Sequence, residues 1–409
     1  MKKAFVCLAL MISVYVQAQS PLIKKLDSLT AAYETNGYHG VIRVAKGDDL
    51  IYEKAYGFAN FEKKIKFTPS TLSKTESAGK MFTSVAVLQL VEQGKLTLDQ
   101  SLKSLLPELN IKNAEKITIH HLLNHTSGIQ SPWDHPNWKF KNNYSRKELE
   151  TIIEEVPLAF DSVGKEMYYS NSGYYLLSWI VEKVTGMSYD KYYKKQIFDP
   201  LGMKNTWHLG DTIMPEKNGA QPYRLLSSKK YIPMTETVGA YASGAGGWIS
   251  TAEDFQKFMS ALQGGKLIKP STLEMMRTAN NNRPKQEAYR FYAYGLEIYK
   301  NQMIPGFELY GHNGGGAGFA ADAFAEPESG YIVTSTNNLY LNSRSIMENY
   351  FRAVLGQPLK PVTKSSTVAV YDIVEEKGIS LVLNNADSIF KQLNINAHPG
   401  WLAMMAETF

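Results

Sequence analysis

An α/β chain of the α+β kind, one sheet assembled from both chain ends with an all-helical lobe inserted, is the fold class predicted for this sequence. Three observations predict it. Strand patterns gather in about 19–76 and again in about 231–360. Between them, over about 77–230, helical spacing dominates and strand signal is sparse. The chain has 409 residues, too many for one compact core, so two lobes are expected.

In chain order, "MKKAFVCLALMISVYVQAQS" opens on lysines, runs apolar from Ala4 to Val16 and offers Val16-Gln17-Ala18 before Gln19. That pattern is a secretory leader over 1–18, with an apolar core too short to span a bilayer comfortably. Removal places the mature chain outside the cytoplasm, periplasmic or secreted, with no transmembrane segment. Pro21 to Asn36 carries Leu22, Leu26, Leu29 and Tyr33 near helical spacing, an amphipathic helix. "GVIRVAKGDDLIYEKAYGFAN" alternates apolar and polar residues around Gly47-Asp48-Asp49, a hairpin. After the helical middle, Gly-rich turns return from Tyr231. "AGFAADAFAEP" and "GYIVTSTNN" read as paired strands, and Ser343 to Leu355 as a helix. Residues 361–409 change character and read as short helices of unassigned role.

Net charge is +5, and Lys2 and Lys3 would leave with the leader. No long basic run or aromatic–basic stripe exists, which argues against nucleic-acid binding. Cys7, the only cysteine, lies in the leader. A mature chain without cysteine has neither disulfides nor a thiolate nucleophile. His121 and His125 stand four apart in "HLLNH", but Leu122 occupies the place where a zinc protease helix needs its glutamate, so no metal and no cofactor are expected.

Ser-x-x-Lys recurs at Ser77/Lys80, Ser162/Lys165, Ser188/Lys191, Ser227/Lys230 and Ser388/Lys391. A serine needs an adjacent base to become a nucleophile, and residues three apart at a helix start share a face. Only Ser77 heads an apolar run, "MFTSVAVLQLVEQG", expected to be a central, buried helix. Burial lowers a lysine's pKa, as a neutral amine base requires. Downstream lie Tyr169-Ser170-Asn171 and His312-Asn313-Gly314. Each is weak alone: Tyr299-Lys300-Asn301, Tyr340-Leu341-Asn342 and His398-Pro399-Gly400 fit the same patterns.

In that order and context the three motifs resemble the penicillin-recognising serine hydrolases. That superfamily holds class C β-lactamases, D-alanyl-D-alanine carboxypeptidases, D-aminopeptidases and related esterases. "ITIHHLLNHTSGI", "IFDPLGMKNTWH" and "GAGGWISTAEDFQKFM" look like further segments of it, so the resemblance covers roughly Leu22 to Leu355. It implies a β-lactamase/transpeptidase-like fold, an antiparallel sheet flanked by helices with the inserted helical lobe, over 19–360. It implies Ser77 as the acylated nucleophile, Lys80 as its proton acceptor and Tyr169 as a proton relay. Asn171 would bind a substrate amide, and His312 would stand where many relatives have a lysine. The backbone N–H groups of Ser77 and Gly315 would form the oxyanion hole, and Gly314 to Gly316 would leave room for an extended substrate.

No Lys-Thr-Gly or Lys-Ser-Gly occurs, so a dedicated β-lactamase is disfavoured. The resemblance points instead to an exported serine hydrolase acting through an acyl-enzyme on an amide or ester. Its substrate would be a small molecule or peptide, a D-amino-acid peptide or a small ester. The alternatives are a penicillin-binding or sensor protein that does not turn over, or a weak β-lactamase. Oligomeric state is open. "SPWDHPNWKFKNNY" (Ser131–Tyr144) is a candidate pocket loop or a packed surface loop.

Overall fold

A computed structural model describes residues 20–139, 144–208, 215, 217–225, 227, 230–234, 243–278, 281–282, 291–316, 318–339 and 343–393. The expected leader and Tyr340-Leu341-Asn342 lie outside the described residues, as does His398-Pro399-Gly400.

The sheet has eight strands, in spatial order Asn281–Asn282, Phe291–Tyr292, Glu297–Lys300, Glu308–Gly316, Phe319–Ala325, Tyr331–Asn337, Gly40–Lys46 and Asp49–Tyr56. All neighbours run antiparallel. The two chain ends meet where Gly40–Lys46 pairs with Tyr331–Asn337, Gly40 opposite Asn337 and Lys46 opposite Tyr331. The expected hairpin is Gly40–Lys46 with Asp49–Tyr56, and the expected strand pair is Phe319–Ala325 with Tyr331–Asn337.

Alternation along the strands feeds two cores. On one face Phe324, Val333, Ile42 and Val44 pack with Leu26, Leu29 and Tyr33 of helix Pro21–Thr35 and with Ile346, Met347 and Tyr350 of helix Ser343–Val354. On the other, Ala321, Ala323 and Ala325 join the larger core of the helical lobe, centred on Phe82, Val85, Leu88, Tyr174 and Leu177. Alanines on that face let helix Ala252–Gln263 approach the strands closely, and Thr334 Oγ1 donates to the Ala252 carbonyl at 2.8 Å.

Two features depart from the expected pattern. The stretch read as sheet from residue 231 contains helices Ala252–Gln263 and Pro270–Arg277. The first starts at Thr251, whose side chain accepts the Asp254 N–H, with acids in the first turn. The helical lobe in turn holds short strands, and Trp207–His208 joins Trp248–Ser250 and Ser73–Lys74 in a separate three-stranded sheet. Beyond residue 361, helices Ser366–Lys377, Ile379–Asn384 and Ala386–Gln392 gather Val370, Tyr371, Val374, Val382, Ile389 and Phe390 into an apolar cluster of their own.

Candidate active site

From Thr71 to Leu88 every residue is buried except Ser77. Ser77 sits not in the α-helix itself but in one turn of 3₁₀-helix, Glu76–Gly79, that feeds helix Lys80–Glu92. In 3₁₀ geometry residues i and i+3 eclipse, which stacks the lysine amine directly on the serine hydroxyl. Glu76, immediately before Ser77, has φ of 45°, a left-handed conformation costly for a residue with a side chain. The strain is held from outside. Gly246 packs so tightly that a Cβ there would lie 2.1 Å from the Glu76 carbonyl oxygen.

Lys80 is fully buried. Its Nζ lies 3.0 Å from Ser77 Oγ, 2.6 Å from Asn171 Oδ1 and 2.7 Å from the Ala245 carbonyl oxygen. Burial holds the amine well below the ordinary lysine range, against the opposing pull of the Glu76 and Glu297 charges. A neutral amine has two N–H donors and one lone pair. The two carbonyl oxygens take the donors, which leaves the lone pair for the proton of Ser77.

Tyr-x-Asn straddles a helix start. Ser170 caps helix Asn171–Thr185, its side chain accepting from the Gly173 N–H. Asn171 is therefore the first helical residue, with its amide group turned inward to Lys80 and its backbone N–H donating to Ser131 Oγ at 3.0 Å. One end of the Asn171 side chain, Oδ1, accepts from Lys80 Nζ. The other, Nδ2, lies 3.4 Å from Ser131 Oγ. Tyr169 is partly exposed, its ring 4.3 Å from that of His125 and its centroid 4.9 Å from Lys80 Nζ. His125 is structural: Nδ1 accepts the Ser170 N–H at 3.1 Å and its carbonyl accepts the Tyr168 N–H at 3.0 Å. No group of three or more metal-ligating side chains occurs among the described residues.

The His312 strand closes the site. Its pairing with Glu297–Lys300 stops at Gly311, so among the described residues His312 to Gly316 have a strand partner only on the other side. Gly314 runs against the serine turn: a Cβ there would sit 2.0 Å from the Thr75 carbonyl oxygen and 2.9 Å from the Ser77 nitrogen. Gly315 is exposed beside it. His312 is buried, with Nε2 3.0 Å from the Tyr292 hydroxyl and Nδ1 donating to the Asn313 carbonyl oxygen. One constellation thus gathers Ser77, Lys80, Asn171, Tyr169, His312 and Gly314. The other Ser-x-x-Lys pairs stand apart, as with Ser162, whose hydroxyl donates to Glu166 Oε1 at 2.8 Å.

The Beta-lactamase family matches residues 26–357. The chain belongs to the Beta-lactamase family. Penicillin-binding protein 4* of Bacillus subtilis is 32% identical over 203 residues, 47% of this chain and 44% of that protein. Teichoic acid D-alanine hydrolase of Staphylococcus aureus is 26% identical over 284 residues, 68% of this chain and 67% of that protein. The chain therefore spans under half the length of the first and about two thirds of the second. A D-stereospecific amidohydrolase from Streptomyces superposes with a TM-score of 0.68 at 27% identity, covering 80% of this chain and 97% of that one. Within this Beta-lactamase-family fold, the expected antiparallel sheet and inserted helical lobe are both present.

Ser131 and Ala245 lie in stretches singled out above only as whole segments, and Tyr292 in none. Ala245 acts through its carbonyl, which has no side-chain signature. Ser131 and Tyr292 are remote from the motifs in sequence and reach the site only through the fold.

Proposed function

We propose that this chain is a serine hydrolase that forms an acyl-enzyme on Ser77 with an amide or ester of a D-amino acid. The observation that carries the reading is the buried Lys80 amine, its pKa held down by burial, anchored by Asn171 and Ala245 and 3.0 Å from Ser77 Oγ. A binding protein gains nothing from burying an amine this way, and a base requires it.

In acylation the Ser77 proton passes to Lys80 Nζ as Oγ bonds to the substrate carbonyl carbon. The oxyanion forms beside the Ser77 and Gly315 N–H groups. The C–N or C–O bond then breaks, and the leaving group takes a proton relayed through Tyr169. Water reverses the sequence, freeing the acid and returning the proton to Ser77. The names of the two relatives, a D-alanine hydrolase and a D-stereospecific amidohydrolase, support D-configured acyl groups as the substrate class. The N-terminal leader pattern supports export to the periplasm or medium. No helix among the described residues is long and apolar enough to cross a membrane.

Intact mass after exposure to a β-lactam should show one adduct, absent in Ser77→Ala. The same protein should release product repeatedly from a D-alanine p-nitroanilide or a p-nitrophenyl ester. An undiminished adduct on Ser77→Ala removes the assignment, and an adduct without any turnover identifies a binding protein instead.

A further inference from the structure

His312 stands at the strand edge where a substrate would lie, yet both ring nitrogens are engaged within the protein. A carbonyl oxygen only accepts, so the contact with Asn313 fixes a proton on Nδ1. At Nε2 the partner is the hydroxyl of Tyr292, a fully buried residue of strand Phe291–Tyr292. The protons of this network can be counted. The Tyr174 hydroxyl donates to the Leu123 carbonyl at 2.9 Å, which spends its only proton. Ser84 Oγ lies 3.3 Å from the Tyr174 oxygen and can donate to it. The Tyr292 proton is then contested by the Tyr174 oxygen and His312 Nε2. An imidazole lone pair is the stronger acceptor.

We propose that Tyr292 is a positioning residue for His312: its hydroxyl donates to Nε2, holds the ring neutral as the Nδ1–H tautomer, and withholds it from substrate. The surroundings agree. His312 faces the rings of Tyr169 and Tyr292, with centroids 6.3 and 5.6 Å away, and Tyr292 in turn packs on His125 at 4.5 Å. The charged groups nearby are otherwise committed. Lys80 serves Ser77, and Glu297 accepts from the Tyr299 hydroxyl at 2.7 Å. Arg344 lies 3.7 Å from Glu297 and donates to the Asn313 side chain at 3.3 Å. Glu76 fills the space beside Gly316. Resting on the hydrolase reading above, the consequence is a substrate class: acyl compounds with no carboxylate at the His312 edge, such as D-aminoacyl amides and esters.

The test uses the full chain labelled with ¹⁵N-histidine and long-range ¹H–¹⁵N spectra from about pH 5.5 to 8, a window that brackets the ordinary histidine value near ~6.5. His312 is identified by the signal lost in His312→Gln. Its expected state is a single Nδ1–H tautomer that does not titrate across that range. In Tyr292→Phe it should titrate within that range, whereas Tyr174→Phe should leave it neutral. A His312 that titrates normally in the unaltered protein overturns the proposal, whatever the fate of the variants. So does a His312 that still fails to titrate across that range in Tyr292→Phe. In a second arm, the ratio of acylation by a fluorescent penicillin to turnover of D-alanine p-nitroanilide should rise at least about tenfold at pH 6 in Tyr292→Phe. That is the lower end expected from one hydrogen bond to a charged group. If the spectra behave as expected while neither protein turns over substrate, the positioning role is supported and the hydrolase reading fails.

Discussion

Lys80 shows how three acceptors around one amine decide its chemistry. As an ammonium it would satisfy Ser77, Asn171 and Ala245 at once, but burial opposes the charge. The acylation rate should therefore climb with pH through the depressed Lys80 value and level off below the ordinary lysine range. Asn171→Asp places a carboxylate against Nζ, favours the ammonium, and should move that rising limb to higher pH. Asn171→Ala removes the anchor and should lower kcat/KM by about tenfold or more, the worth of one hydrogen bond to a titrating amine. A pH–rate profile on each variant decides the matter, and a limb unmoved in Asn171→Asp would show that another group is titrating. Tyr169→Phe should cost at least about 10²-fold in kcat, the lower end for a proton relay.

At the level of elements, the serine turn and the glycine strand are one unit, joined by backbone contact with no side chain between them. Gly314→Val should drive its side chain into the Thr75 carbonyl and displace the turn. A shift of about 1 Å suffices to cost 10²-fold in acylation. Gly94→Ala, at φ of 67° with open space around it, serves as the control. It should lose about 1–2 kcal/mol of stability by chemical denaturation and keep its acylation rate. If both variants acylate normally, the tight packing at Gly314 has no part in the reaction.

These elements also show what a sequence reveals. Helix Pro21–Thr35 and the hairpin were legible from the period of their apolar residues, and the strand pair, buried on both faces, as two apolar runs around a turn. The tetrad, Tyr169 and His312 were legible as spaced motifs. The 3₁₀ entry to the catalytic helix was not, since it depends on Gly246 and Gly314 pressing on Glu76 and Ser77 from distant segments. Nor was the inward turn of Asn171, which meets the Lys80 amine and the hydroxyl of Ser131.

For the whole molecule, the family match ends at residue 357, but the packing continues slightly further. Leu359 and Val362 lie against the core around Tyr350. The Lys360 N–H donates to Asn349 Oδ1 at 2.8 Å, and Asn349 Nδ2 donates back to the Lys360 carbonyl at 3.1 Å. A chain ending after Lys364 should therefore melt cooperatively and acylate at the full rate, because the three helices beyond it have their own cluster. One ending after Gln357 should lose about 2–4 kcal/mol, from two apolar side chains and the clamp. Calorimetry with penicillin labelling on the two truncations checks this. Loss of labelling in the longer one would give the terminal helices a part in the site.

The pairing of Gly40–Lys46 with Tyr331–Asn337 has a kinetic side. More than two thirds of the chain, residues 47–330, must be threaded between two neighbouring strands, so the loop-closure entropy falls due before the central ladder returns any energy. During synthesis the first hairpin leaves the ribosome early and waits, one long edge unpaired, for a partner made almost three hundred residues later. The serine turn is laid down early and its glycine strand late, so no nascent fragment that ends before Gly316 carries a complete site. Reactivity toward an acylating reagent is thus a property that this chain acquires only at the end of its folding.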